Sequence, residues 1–415
     1  MRPTLVAGLD IGSSKTAVVI AEVAADAHHR AQVRVLGVGQ ARTGGIRREI
    51  VTDIEATTES VRKAVKEAEL MAGVTVDRLF TGIAGEHIHA HASHGVVAVG
   101  GRQEIGAGDV ERVHEVARAV PIPADRELLH AFPQEYLVDG QGGIRDPAGM
   151  AGTRLEAEVF LVTGAVSAAQ NIRKSVSRAG YQVAELVLEP VASSLAVLSE
   201  DEKEIGVALV ELGGGTTDVV IFHERKIRHL ATLPWGGSTV TSDIAKGLSL
   251  PYAEAVRAKE RWGVARADLV DPNETFEIAA AAAGQTRYIA RELLAHVIEQ
   301  RMDEILALVD DQVRRSGFAD RLGGGIVLSG GGASLQGMME LAERTFASPV
   351  RLGVPGDDLG GLSDSVRRPK FATATGLVLY GARRLVPEHS GSASGSAPSV
   401  GGAIRWVKDW LADFF

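Results

Sequence analysis

Short β-branched runs alternate along this chain with stretches whose apolar positions recur every three or four residues. Residues 5–8 and 17–23 are compact apolar runs around a glycine turn and read as strands. Residues 54–73 read as a helix, with Val61, Val65, Ala68 and Ala72 on one face. The strand–turn–strand pattern returns at 207–212 and 219–222. Residues 285–317 form a long helical stretch, one helix or two, with Leu293, Val297, Ile305, Leu308 and Val309 as core positions. A further strand is expected at 325–328 and a helix near 334–346. This order predicts an α/β architecture.

The glycine turns repeat internally. Asp10-Ile-Gly12-Ser13-Ser14-Lys15-Thr16-Ala-Val18 aligns without gaps on Glu211-Leu-Gly213-Gly214-Gly215-Thr216-Thr217-Asp218-Val219. Each copy sets an acid and a glycine turn between two β-branched strands. Two such hairpins about 200 residues apart imply two related lobes, with both turns facing one ligand. A third glycine turn, Gly330-Gly331-Gly332, follows a later apolar run.

These turns carry the candidate chemistry. Glycine lets backbone N–H groups point into a turn and removes side chains that would block a phosphate. Ser13, Ser14, Thr216 and Thr217 add hydroxyl donors, and Lys15 adds a point charge for a phosphate. Asp10 and Glu211, at the strand ends, suit Mg²⁺ held through its waters. Any one turn also fits a purely geometric role. Neither a G-x-x-x-x-G-K-[ST] loop nor a G-x-G-x-x-G after a strand occurs, which argues against P-loop and dinucleotide enzymes.

A net charge of −9 argues against a nucleic-acid partner, and the absence of cysteine excludes disulfides and thiolate metal sites. Residues 1–4 run straight into a strand-like segment with an acid at Asp10, so no signal peptide is expected. No apolar run approaches the roughly 20 residues of a membrane span. A cytoplasmic chain with peripheral membrane contact is the expectation. The run His87, His89, His91 would share one strand face, but no acid clearly completes a metal set, and a solvated face is the plainer reading.

The end of the chain has another character. Residues 387–402, PEHSGSASGSAPSVGG, read as a flexible linker with a reach of roughly 20–25 Å. In residues 403–415, at about 100° per residue, Ile404, Trp406, Val407, Trp410, Leu411, Phe414 and Phe415 fill one half of a helical wheel. Arg405, Lys408, Asp409, Ala412 and Asp413 fill the other. So short and apolar a helix needs a surface. Tryptophan suits a bilayer interface, and docking on protein is the alternative.

The turns DIGSSK and ELGGGTTD resemble the two phosphate turns of the actin, heat-shock chaperone and sugar-kinase superfamily, and VLSGGGASLQGM its adenosine turn. LEPVASSLAVL resembles the helix that connects the lobes. Within that superfamily PQEYLVDGQGGIRDPAGMAGTRLEAE, LPWGGSTVTSDIAKGL, PVRLGVP and FATATGLVLYG are most similar to the FtsA family, and the likeness runs from residue 5 to about 385.

The resemblance implies an α/β, actin-like two-lobed ATPase fold with an inserted small α+β subdomain, a flexible linker and a C-terminal amphipathic helix. Its boundaries would be 1–83 for the first part of lobe 1 and 84–162 for the insertion. Residues 163–200 would complete lobe 1 with the connecting helix, and 201–386 would form lobe 2. The linker 387–402 and the membrane helix 403–415 would follow. ATP and Mg²⁺ are the implied ligands. Asp10, Glu189 and Glu211 would surround the metal and its waters. Asp218 would orient the attacking water, with Glu189 and Asp218 as the catalytic pair. Gly12, Ser13, Ser14, Lys15, Gly213, Gly214, Gly215, Thr216 and Thr217 would hold phosphates. Lys259 and Gly330, Gly331 and Gly332 would border the adenosine.

Two departures from the pattern bear on turnover. Glu211 stands where Asp is usual, and Val256 stands where a Glu three residues before Lys259 is usual. Slow ATP hydrolysis at most is therefore expected. The implied partners are the C-terminal tail of FtsZ, further copies of the chain in a homopolymer, other division proteins, and lipid on the cytoplasmic side of the inner membrane at the septum. A docking region is expected around residues 287–315, where Arg291 and Arg301 could meet a partner's carboxylates. A pilus-assembly platform of the PilM type and a sugar kinase are the alternatives. The first would not need the amphipathic tail, and the second would need a substrate pocket with its own catalytic Asp.

Overall fold

The computed structural model describes residues 4–25, 31–100, 104–279, 286–356 and 358–385. Two sheets carry the molecule. In the first, the spatial order is Gln182–Leu188, Arg78–Ile83, Thr4–Ile11, Lys15–Ala25, Ala31–Arg42, Leu359–Gly361. In the second it is Lys226–Leu233, Thr217–His223, Val207–Leu212, Ile326–Ser329, Val350–Leu352. Each contains an antiparallel meander extended on its far edge by a parallel strand. The repeat seen in the sequence is also a repeat of register: Asp10 faces Ala17 across its hairpin as Glu211 faces Asp218.

Strand alternation explains why these segments are apolar on both sides. Val18 and Ile20 pack with Val61, Ala64 and Val65 of the helix Ile54–Ala72. Their neighbours Ala17, Val19 and Ala21 pack with Phe371, Ala374 and Val378 at the helix Ala372–Leu385. Asp53 caps the first of these helices, and Gly73 ends it in the left-handed region (φ 66°). In the second sheet Val210, Leu212, Val219 and Ile221 face the helices Gly237–Gly247, Arg291–Arg315 and Met338–Phe346. Its other face meets the connecting helix Glu189–Val197.

Between Arg78–Ile83 and the helix Val166–Ala179 lies an antiparallel sheet in the order His89–Ala98, Arg154–Ala165, Arg126–Val138, Gln141–Ile144. The helix Ala107–Arg118 covers one face. Its core holds a polar pair, His114 Nε2 and Tyr136 Oη at 2.6 Å. Burial pushes that imidazole down to about 4 and the phenol up.

Some expectations are corrected. The long helical stretch begins at Arg291, because Thr286–Ala290 is a strand paired with Thr275–Ala279. Periodicity alone cannot separate a short apolar strand from a helical turn; the partner strand decides. Leu293 is 51% exposed, not core. The buried stripe runs through Leu294, Ile298, Met302, Ile305 and Val309, and Leu293 lies about 100° off it. Val297 and Leu308 are half-buried on its flank. His87 precedes the strand on which His89 and His91 stand, so the three do not share its face. The linker 387–402 and tail 403–415 lie outside the described residues.

Candidate functional site

The two hairpin turns meet across one cleft of about 1010 Å³. Asp10, Gly12, Ser13, Ser14 and Lys15 line it from one lobe, and Glu211, Gly213, Gly214, Thr216, Thr217 and Asp218 from the other. Gly330, Gly331, Gly332, Val256 and Lys259 line it as well. Gly215 does not: it packs against Ser13, where a Cβ would sit 2.8 Å from the serine Cβ. A Cβ on Gly214 would sit 2.6 Å from Ser14 Oγ, so the turns approach as closely as they do only because both positions are glycine.

Six carboxylates line this cleft: Asp10, Glu49, Glu189, Glu211 and Asp218 around the turns, and Glu260 next to Lys259. Lys15 answers them, its Nζ 3.6 Å from Asp10 Oδ2 and donating to the Lys370 carbonyl. Burial lowers the Lys15 pKa, opposed by Asp10, Glu189 and Glu211; burial raises that of Asp10, opposed by Lys15. Glu189 opens the connecting helix, just after Leu188. Burial, then repulsion from Glu49, Asp10, Asp218 and Glu211, holds it well above the carboxylate range.

Glu211 is pushed up to about 8, first by burial and then by Asp218, while Ser193 and Thr373 hydrogen bonds hold it back. Thr373 Oγ1 donates to its Oε1 at 3.1 Å. Burial raises Asp218 to about 6 against hydrogen bonds from Thr232 and Thr216. The donor set fits a divalent cation: excess negative charge, glycine backbone and oxygen ligands. Among the described residues no three acids or imidazoles are grouped to clamp a metal directly, so a cation here would keep much of its water.

Two candidates have their polar atoms committed elsewhere. Thr217 Oγ1 donates to the Trp235 carbonyl at 2.8 Å, so its hydroxyl braces the turn. Lys259 Nζ donates to the Gly237 carbonyl (2.6 Å) and to Thr241 Oγ1 (2.8 Å), and burial brings it down to about 8. It is a cleft lysine, not a solvated one. Arg291 pairs with Glu274 (2.8 Å), and Arg301 pairs with Asp243 and Glu304. Both guanidinium groups considered for partner docking thus serve the protein's own packing.

Sequence reasoning missed Glu49, Lys370 and Thr373. Thr373 lies within the FATATGLVLYG block and Lys370 directly before it. Glu49 sits in an arginine-flanked hairpin tip with no visible periodic or glycine signal.

The cleft is also tied to the inserted sheet. The Leu188 N–H donates to His130 Nε2 at 3.0 Å, and that ring stacks on Phe132 at 5.2 Å. Burial keeps His130 neutral, with a pKa down to about 3.

A model of the family "Cell division protein FtsA" matches residues 208–376, and one described as "SHS2 domain inserted in FTSA" matches residues 85–163. The chain is 44% identical to cell division protein FtsA of Pseudomonas aeruginosa, over 97% of each chain. It is 35% identical to that of Escherichia coli K12, over 99% of this chain and 98% of the relative. For Bacillus subtilis the identity is 36% over 91% of this chain and 84% of the relative. Among solved structures, a PilM–PilN type IV pilus biogenesis complex aligns with TM-score 0.63 at 17% identity, covering 91% of this chain and 98% of that one. MreB5 of Spiroplasma citri bound to ADP aligns with TM-score 0.53 at 12% identity, covering 92% and 98%. These likenesses speak to an actin-like fold alone.

Proposed function

The chain belongs to the FtsA family of cell division proteins, and from that premise we propose that it binds Mg²⁺·ATP between its lobes, self-assembles, and serves division as a membrane-tethered adaptor. The observation that carries the nucleotide reading is two glycine turns facing each other across one acidic cleft with Lys15 between them. Bound Mg²⁺ would offset the charge of the phosphate oxygens, held through its waters by Asp10, Glu189 and Glu211. Lys15 and the N–H groups of Gly12, Ser13, Ser14, Gly213 and Gly214 would orient the phosphates. Lys259 and Gly330–Gly332 would border the adenosine.

Turnover should be slow. Glu211 is committed to hydroxyls on two helices, and Asp218 accepts from two threonines, so neither is free to move a proton readily. The pilus-platform alternative rests on fold likeness alone, whereas relatives at 35–44% identity along nearly the whole chain are division proteins. The proposed partners are the FtsZ tail, further copies of this chain, other division proteins, and lipid on the cytoplasmic face through residues 404–415. Among the described residues no helix is long and apolar enough to cross a membrane.

Equilibrium binding of fluorescent ATP tests the central point. Saturable binding that needs Mg²⁺ is expected, with Lys15→Ala weakening it about tenfold or more. Binding indifferent to both Mg²⁺ and Lys15 would overturn the reading.

A further inference from the structure

The hairpin Ile46–Arg47/Ile50–Val51 has a two-residue tip, Arg48-Glu49. Both tip residues lie in the left-handed region, at φ 49° and 61°. A hairpin joined by two residues asks for positive φ at both, which is why Asn-Gly is the usual choice. Here neither position is glycine, and the backbone is held where side-chain-bearing residues seldom rest. The hairpin is wedged at the meeting point of three segments. A Cβ on Gly215 would come within 3.0 Å of Arg48 Cα, and one on Gly85 within 3.3 Å of Glu49 Cβ.

The result is a carboxylate turned inward. Glu49 is only 8% exposed, and its side chain lines the cleft. The Ser13 N–H donates to Glu49 Oε1 at 3.2 Å, and the Ser13 hydroxyl donates to the same oxygen at 2.9 Å. The Glu49 N–H donates back to Ser13 Oγ at 3.1 Å. A turn's backbone N–H with a hydroxyl beside it is an anion site, and here a carboxyl group from the same chain sits on it.

We propose that Glu49 is a resident competitor at the first phosphate turn, which a nucleotide phosphate must displace to gain the Ser13 donors. One N–H and one O–H cannot serve a carboxylate and a phosphate oxygen at full strength together. A phosphate oxygen that takes these donors also enters a cleft that already holds Asp10, Glu189, Glu211 and Asp218. Glu49 therefore sets how tightly phosphorylated ligands bind. The inference rests on the nucleotide reading above.

The test is calorimetric titration of the full chain with Mg²⁺·ATP, Mg²⁺·ADP and adenosine, comparing the parent with Glu49→Gly and Glu49→Gln. Glycine is at ease at φ 61°, so the first variant keeps the hairpin; glutamine keeps the size and replaces the carboxyl by an amide. Release of the two competing hydrogen bonds on Ser13 should tighten ATP and ADP binding about tenfold in the glycine variant. The glutamine variant should gain less, and adenosine should gain nothing. Unchanged or weaker phosphate binding in both variants would overturn the proposal, because Glu49 would then only support the Ser13 turn. An equal gain for adenosine would also overturn it, since relaxed backbone rather than a vacated anion site would explain it. Binding by none of the three chains would remove the nucleotide reading and this proposal with it, an outcome distinct from binding that ignores Glu49.

Discussion

At the scale of single residues, the cleft is a set of acids held away from their ordinary charge. Glu49 and Glu211 are pushed up to about 8 and Asp218 to about 6, in each case first by burial. An acid whose folded pKa exceeds its unfolded one stabilises the fold fully below the unfolded pKa. That stability is lost as pH rises through the folded value. The nucleotide-free protein should therefore melt at progressively lower temperature from about pH 4.5 to about pH 8. Saturating Mg²⁺·ATP should flatten the slope, because the cation compensates the ionised carboxylates. A melting temperature of the nucleotide-free protein that holds or rises across this window would contradict the assignment. Residue types announced Asp10 and Glu211, since an acid before a glycine turn is visible in the chain, and the family resemblance supplied Glu189 and Asp218. Glu49 was not visible, because its role comes from a hairpin tip folding back onto Ser13. Nor was the commitment of Thr217 to the Trp235 carbonyl, a contact made 18 positions away.

At the scale of elements, two helices decide how the lobes are joined. Glu189–Val197 and Ala372–Leu385 cross at Gly376, where a Cβ would drive into the Ala192 carbonyl. Each carries a cleft residue near its start, Glu189 on one and Thr373 on the other. Gly376→Ala should cost about 1–3 kcal/mol in unfolding free energy, as overpacking commonly does. It should also weaken Mg²⁺·ATP binding, because parting the helices moves both residues. Chemical denaturation paired with nucleotide titration would check this; unaltered stability would show that the crossing has slack. The opposite end of the connecting helix is tied by Arg351, which pairs with Glu202 at 2.6 Å and donates to the Val197 carbonyl at 2.6 Å. The connecting helix was legible only through the resemblance of LEPVASSLAVL, and no helix was expected over Ala372–Leu385. The strand Thr286–Ala290 was not legible, since five residues carry too little periodic signal without their partner Thr275–Ala279.

At the scale of the whole molecule, two halves of one design enclose the cleft, and a tail of different composition follows. The tail's apolar wheel leads us to expect that full-length chain with ATP co-sediments with liposomes, whereas a chain ending at Pro387 stays in the supernatant. Equal pelleting would place the lipid contact, if any, on the globular part. Anchoring should persist at high salt, because Arg405 and Lys408 are offset by Asp409 and Asp413 and apolar burial must dominate. The sequence by itself determined the two hairpins, their acids and glycines, and the family, because these depend on local turn chemistry and on order along the chain. Only the tertiary structure decided which groups share the cleft and in what charge state. Hydrogen-bond partners such as Glu49 with Ser13, or Thr373 with Glu211, are set by packing between segments distant in the chain. Burial, which raises Asp10, Glu49, Glu189, Glu211 and Asp218, exists only once the lobes close.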